Sequence, residues 1–147
     1  MTDSAERERI LRGELKAVLA EHSDGLRAQM RNVLATRIQL DGGQRLQFEV
    51  DPWYWGIHCC ATEEPVTPGE DWLRRALAED WFERAGEDVN WDQLIADELC
   101  SWFAACWREV GGPAKYRPAF LFFHDYHRQQ FDLERACWIS LEEAFED

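Results

Sequence analysis

The residues with the most reactive side chains form two short clusters far apart in the chain, His58-Cys59-Cys60 and His124-Asp125-Tyr126-His127. Imidazole and thiolate together are the donor set of zinc and similar ions. If the two segments are neighbouring strands, His58, Cys60, His124 and His127 converge on one metal site. Alternation along a strand decides the membership: His58 and Cys60 share a face while Cys59 points the other way. The chain would then be a small metal-dependent enzyme. The competing reading is a buried Cys pair with exposed loop histidines. Neither Cys59 nor Cys60 carries the flanking signature of an activated nucleophile. Gly42-Gly43 and Gly111-Gly112 are isolated pairs, suited to a turn and a helix stop rather than to a phosphate loop. No motif calls for a cofactor.

Carboxylates are the more abundant resource. The 147 residues carry a formal charge of -13, and it is unevenly spread. Residues 1–35 balance six acids with six bases, whereas residues 61–110 hold thirteen acids against four bases. Such a field repels phosphate and so argues against direct nucleic-acid binding or an anionic membrane surface. Glu79, Asp80, Glu83, Glu87, Asp88 and Asp92 crowd into fourteen residues, flanked by Trp81 and Trp91. Concentrated negative charge speeds encounter with a basic protein, and an adjacent Trp edge can anchor it. A solvated turn with both Trp facing the core is the plainer alternative. A second aromatic surface is Pro52-Trp53-Tyr54-Trp55, where three rings in one turn cannot all enter one core; Trp53 and Tyr54 join the candidate contact residues.

The element that must position these groups is Asn90–Val110. Trp91, Leu94, Ile95, Leu99, Trp102, Phe103, Cys106, Trp107 and Val110 fall on one helical stripe. Asn90 with Gln93 forms a capping box, and Gly111 and Pro113 stop the helix. Thr67-Pro68-Gly69-Glu70 reads as a second capping box, opening a helix through Trp72, Leu73, Ala76, Leu77 and Trp81 to a stop at Gly86. The two make a helical hairpin with an acidic turn. Residues 4–35 are helical in pattern, interrupted at His22-Ser23-Asp24-Gly25.

Between the helical parts the period changes to two. Ile38 and Leu40, the turn Asp41-Gly42-Gly43, and Leu46, Phe48 and Val50 predict a hairpin. Trp55–Ala61 predicts a third strand, and Ala61–Gly69 is the one loop long enough to suggest mobility. Ala119–Phe123 predicts a strand buried on both faces, followed by a polar loop over His124–Gln130. Phe131 onward predicts another strand, preferred to a single helix over Asp125–Phe145, with a short last helix capped by Ser140.

Together these predict one α+β domain over residues 1–147: an antiparallel sheet of four to five strands with the N-terminal helices and the helical hairpin packed on one face. Five Cys with no leader or apolar span before them predict a reduced, cytoplasmic protein with mostly buried thiols. In composition alone (small size, acidity and eight Trp) the chain resembles bacterial immunity proteins that neutralise basic toxins. No motif carries a residue over from them. The functional expectation is a non-enzymatic protein-binding module, immunity- or adaptor-like, that presents its acidic hairpin to a basic protein. The alternatives are the metal-dependent enzyme and a nucleic-acid mimic.

Overall fold

The computed structural model describes residues 3–38, 45–51, 55–69, 71–123 and 130–139. Two consecutive helices, α1 (Ser4–Glu21) and α2 (Ser23–Ala35), open the chain and are joined at His22. Strands β1 (Leu46–Val50) and β2 (Ile57–Cys59) follow, then the short helices α3 (Trp72–Ala76) and α4 (Trp81–Ala85). The long helix α5 (Trp91–Glu109) is succeeded by one further turn, α6 (Gly112–Lys115), and by β3 (Ala119–Phe123), β4 (Gln130–Asp132) and β5 (Cys137–Ile139).

The fold is α+β. Its five described strands form one sheet in the order β2-β1-β3-β4-β5. Three of the four pairings are antiparallel, but the central one, β1 with β3, is parallel, with Phe48 opposite Leu121. The expected hairpin between residues 38–40 and 46–50 does not describe β1's antiparallel pairing. Ile38 belongs to no strand, Leu40 and the Asp41-Gly42-Gly43 turn lie outside the described residues, and β1 pairs with β2 instead. The strand-turn-strand of residues 130–139 replaces the rival single helix. The predicted Ser140 helix lies outside the described residues.

Helix α5 forms where its stripe and cap predict. The Asn90 side chain accepts from the Gln93 amide at 3.3 Å, while the Gln93 side chain donates to Asp97 at 2.9 Å, so one half of the predicted capping box forms. Its burial is wider than the predicted stripe, because Ala96, Cys100 and Ala104 are also buried. Two opposed faces explain this. At 100° per residue, Phe103 and Trp107 lie more than a quarter turn from Glu98, Trp102 and Glu109. The first pair meets the sheet, with ring centroids 5.0 and 5.2 Å from Phe48 of β1. The other face meets the N-terminal helices: Arg12 pairs with Glu98 at 2.5 Å, the Trp102 indole donates to Ser23 Oγ at 2.8 Å, and Arg27 reaches Glu109 at 2.9 Å. Trp107 is fully buried, and Trp102, half-buried, stacks on Trp72. Pro113 does not end helical structure. After the left-handed Gly111 (φ 81°) it sits within the first turn of α6, where its missing N–H costs nothing.

The predicted helix from Pro68 to Gly86 is two helices, and residue spacing gives the reason. Trp72 and Trp81 are nine residues apart, hence on opposite sides of any straight helix. Both are buried, against different partners: the Trp72 indole donates to the Trp55 carbonyl at 2.7 Å, that of Trp81 to the Leu11 carbonyl at 3.1 Å. The chain breaks at Leu77, whose backbone is extended, and so buries both. Gly86 ends α4 with φ 63°. Thr67 caps no helix. Its hydroxyl accepts from the Ile57 amide at 3.0 Å, and Asp71 precedes α3 in the left-handed conformation.

That contact belongs to a wider correction. Much of the segment read as a mobile loop folds back along β2. The Cys59 amide donates to Glu64 O at 2.9 Å, the Val66 amide donates to Ile57 O at 2.8 Å, and His58 bridges Pro65. An exposed sheet edge invites pairing with other chains, and this return covers it.

Candidate functional site

Two places bring together residues that can act: the acidic segment around α4, and the outer face of the β1–β2 pair.

All six predicted carboxylates of the acidic segment, Glu79, Asp80, Glu83, Glu87, Asp88 and Asp92, are exposed. They are not equally available. Arg84 lies 3.2 Å from Asp80 and grips both oxygens of Glu14 on α1 at 2.7 Å, the planar fork that guanidinium offers a carboxylate. Asp88 is paired with Arg7. Among the described residues Glu79, Glu83, Glu87 and Asp92 have no ion pair. Beside Asp88, a groove of about 370 Å³ opens between the first turns of α1 and α5, walled in part by Glu8, Asp88, Asn90, Gln93 and Asp97. Two helix N-termini lend such a groove positive character, roughly half a charge each, but Asp3 and Asn90 already accept from first-turn amides; of the three carboxylates on its wall, Asp88 is paired with Arg7 and Glu8 with Arg12.

The flanking aromatics do not serve as expected. Trp81 is fully buried, so it cannot anchor a partner. Trp91 is half-buried with its ring edge-on to Phe82, centroids 5.0 Å apart. Phe82 in turn lies under the Arg74 guanidinium at 5.3 Å. Aromatic packing thus holds the acidic segment down instead of projecting from it. Trp53 and Tyr54 lie outside the described residues. Their neighbour Trp55 is buried in the core with φ 56°.

On the outer face of β1 and β2, His58 and Cys60 share a side as alternation requires. The residue that joins them is Glu49, directly opposite His58 in the antiparallel register. One donor atom from each of Glu49, His58 and Cys60 lies within 4.8 Å of the others, and His58 Nε2 is 3.5 Å from a Glu49 oxygen. His124 and His127, the other predicted ligands, lie outside the described residues. Glu49 was missed although the signal existed: Leu46, Phe48 and Val50 facing inward put Glu49 outward, and only the strand pairing was lacking.

The backbone fixes this trio. The Cys60 amide donates to Gln47 O at 2.9 Å, and a tight turn closes beyond it through Glu63 N–H to Cys59 O at 2.8 Å. Burial first, then Glu49 and Cys59, push the Cys60 thiol up to about 11. It therefore keeps its proton at neutral pH and is not an activated nucleophile. Burial also raises Cys100 and Cys106, and all five cysteines are free thiols. Beside His58 a groove of about 330 Å³ runs past Asp51, Pro65 and Thr67.

Among the described residues no helix is long and apolar enough to cross a membrane. The chain matches no protein-family model, and comparison with curated proteins and with solved structures finds no match either.

Proposed function

We propose that this chain is a non-enzymatic protein-binding module which offers the acidic segment 79–92 to a basic protein partner, in the manner of the immunity proteins its composition resembles. The observation that carries this reading is the exposure of all six carboxylates on a segment with a single base, Arg84, which is already engaged by Glu14 and Asp80. Four carboxylates without an ion pair among the described residues supply the long-range field. The groove by Asp88 is large enough to receive a basic side chain. Buried Trp81 and half-buried Trp91 make the segment a braced surface, so little ordering entropy opposes binding. Five free thiols accord with a reducing, cytoplasmic setting.

The test is capture from a cell extract at low and at high salt, with the bound proteins identified by mass spectrometry. Wild type is compared with the triple variant Glu79→Lys, Glu83→Lys, Glu87→Lys, whose changes break no ion pair among the described residues. A second variant, Glu63→Lys with Glu64→Lys, alters equally exposed acids elsewhere. We expect one basic protein that the triple variant binds about 10- to 100-fold more weakly, as three exposed charges at an interface allow. The Glu63/Glu64 variant binds it normally, and high salt weakens it throughout. Capture that ignores the triple reversal, or responds alike to both variants, rejects the proposal.

A further inference from the structure

Glu49, His58 and Cys60 form a group that the binding reading does not use. We propose that these three side chains hold a divalent cation of the zinc class on the outer face of the β1–β2 pair, with a fourth coordination position left to water or an incoming donor.

The argument rests on distance and donor type. A tetrahedral ion with ligands at 2.0–2.3 Å needs donor atoms roughly 3.3–3.8 Å apart. The Glu49–His58 pair already stands at 3.5 Å, and no donor of the three is more than 4.8 Å from another. Closing that difference falls to the side chains, because strand register fixes the backbone of Glu49 and His58, and the amide bond to Gln47 fixes that of Cys60. One carboxylate, one imidazole and one sulfur, with the Cys60 thiol giving its proton to water as the metal binds, select a borderline ion. Magnesium and calcium prefer all-oxygen shells, and sulfur is a poor ligand for both. Three protein ligands with an open position is also the arrangement zinc adopts where it must meet a further molecule. A groove of about 330 Å³ opens beside one of the three, His58.

A plain Glu49–His58 ion pair, with Cys60 a bystander, is the opposing account. Cobalt(II) separates the two, because a cobalt–thiolate bond gives a near-ultraviolet charge-transfer band that no imidazole or carboxylate produces. The full chain is stripped of metal with a chelator and titrated with cobalt(II) and then zinc. We expect one equivalent to bind with that band and with the intense visible bands of a four-coordinate ion. Cys60→Ser abolishes the charge-transfer band, while Cys137→Ser, at an exposed thiol elsewhere, leaves it unchanged. Glu49→Gln and His58→Ala each weaken zinc affinity more than about tenfold, the least expected when supporting residues alone can cost that much. An assay on the unmutated chain covers the case of a variant that fails to fold: zinc slows alkylation of Cys60 relative to Cys137. Absence of the charge-transfer band, its survival in Cys60→Ser, or equal alkylation with and without zinc overturns the proposal. None of these outcomes bears on whether the acidic segment binds a partner.

Discussion

Replacing Gly112 with alanine lowers the unfolding free energy by about 3 kcal/mol, the upper end of what overpacking a core costs. A Cβ built at Gly112 stands 2.0 Å from Trp107 Cε2, 2.2 Å from Cδ2 and 2.4 Å from Nε1. Real atoms cannot sit so close, and what they strike is a rigid ring, not the end of a flexible chain. Trp107 has nowhere to retreat, being fully buried and edge-on to Phe48. Either α6 lifts from α5 or the indole leaves its place against β1. Urea unfolding of the single variants and of the pair with Trp107→Ala measures the effect. The atoms struck belong to the part of the indole nearest its Cβ, so removing the whole ring frees the space: the double variant should be no less stable than Trp107→Ala alone, giving a coupling of about the size of the clash. Gly112→Ala within about 0.5 kcal/mol of wild type, the scatter of inert surface changes, means that α6 is not seated on Trp107.

Trp81→Ala is expected to cost about 4 kcal/mol, within the range for truncating a buried aromatic. The side chain is fully buried between α4 and α1, and its indole N–H donates to the Leu11 carbonyl. Helix α4 is only five residues long and cannot persist alone, so packing through Trp81, together with Arg84 on Glu14, is what fixes it. Trp81→Phe retains most of the ring and loses the hydrogen bond, which reduces the cost to about 1–2 kcal/mol. Denaturant midpoints of the two variants separate packing from hydrogen bonding. Partner binding should weaken in Trp81→Ala even where the protein remains folded, because the acids on α4 lose their brace. A cost below about 1 kcal/mol for Trp81→Ala means that α4 is not docked on α1.

How far residues alone could have led differs from element to element. Helix α5 was legible because its period, its Asn90 cap and its Gly111 stop are all local and all agree. The six acids were legible as a charge cluster, and their exposure follows from the cost of burying unpaired charge. What local pattern could not supply was pairing across distance. β1 and β3 are parallel although some seventy residues separate them, and nothing in Leu46–Val50 or Ala119–Phe123 encodes that choice. The same gap hid Glu49, which becomes a neighbour of His58 only once β1 and β2 are paired. The break between α3 and α4 was different. The half-turn offset between Trp72 and Trp81 is countable, but five apolar residues spread over half a helix circumference also fit one broad stripe. Thr67 shows the limit of short motifs. A Thr-Pro-Gly-Glu sequence fits a capping box, yet the Thr67 hydroxyl accepts from the buried Ile57 amide of β2 instead.

The most direct measurement of the central claim is a heteronuclear NMR titration of the isotope-labelled chain with a short arginine-rich peptide. If the segment around α4 is the basic-partner surface, amide shifts concentrate in residues 79–92 and in the first turn of α1, and the screening of 0.3 M salt removes them. Shifts spread evenly over the exposed acids of the whole chain, or centred away from residues 79–92, contradict it.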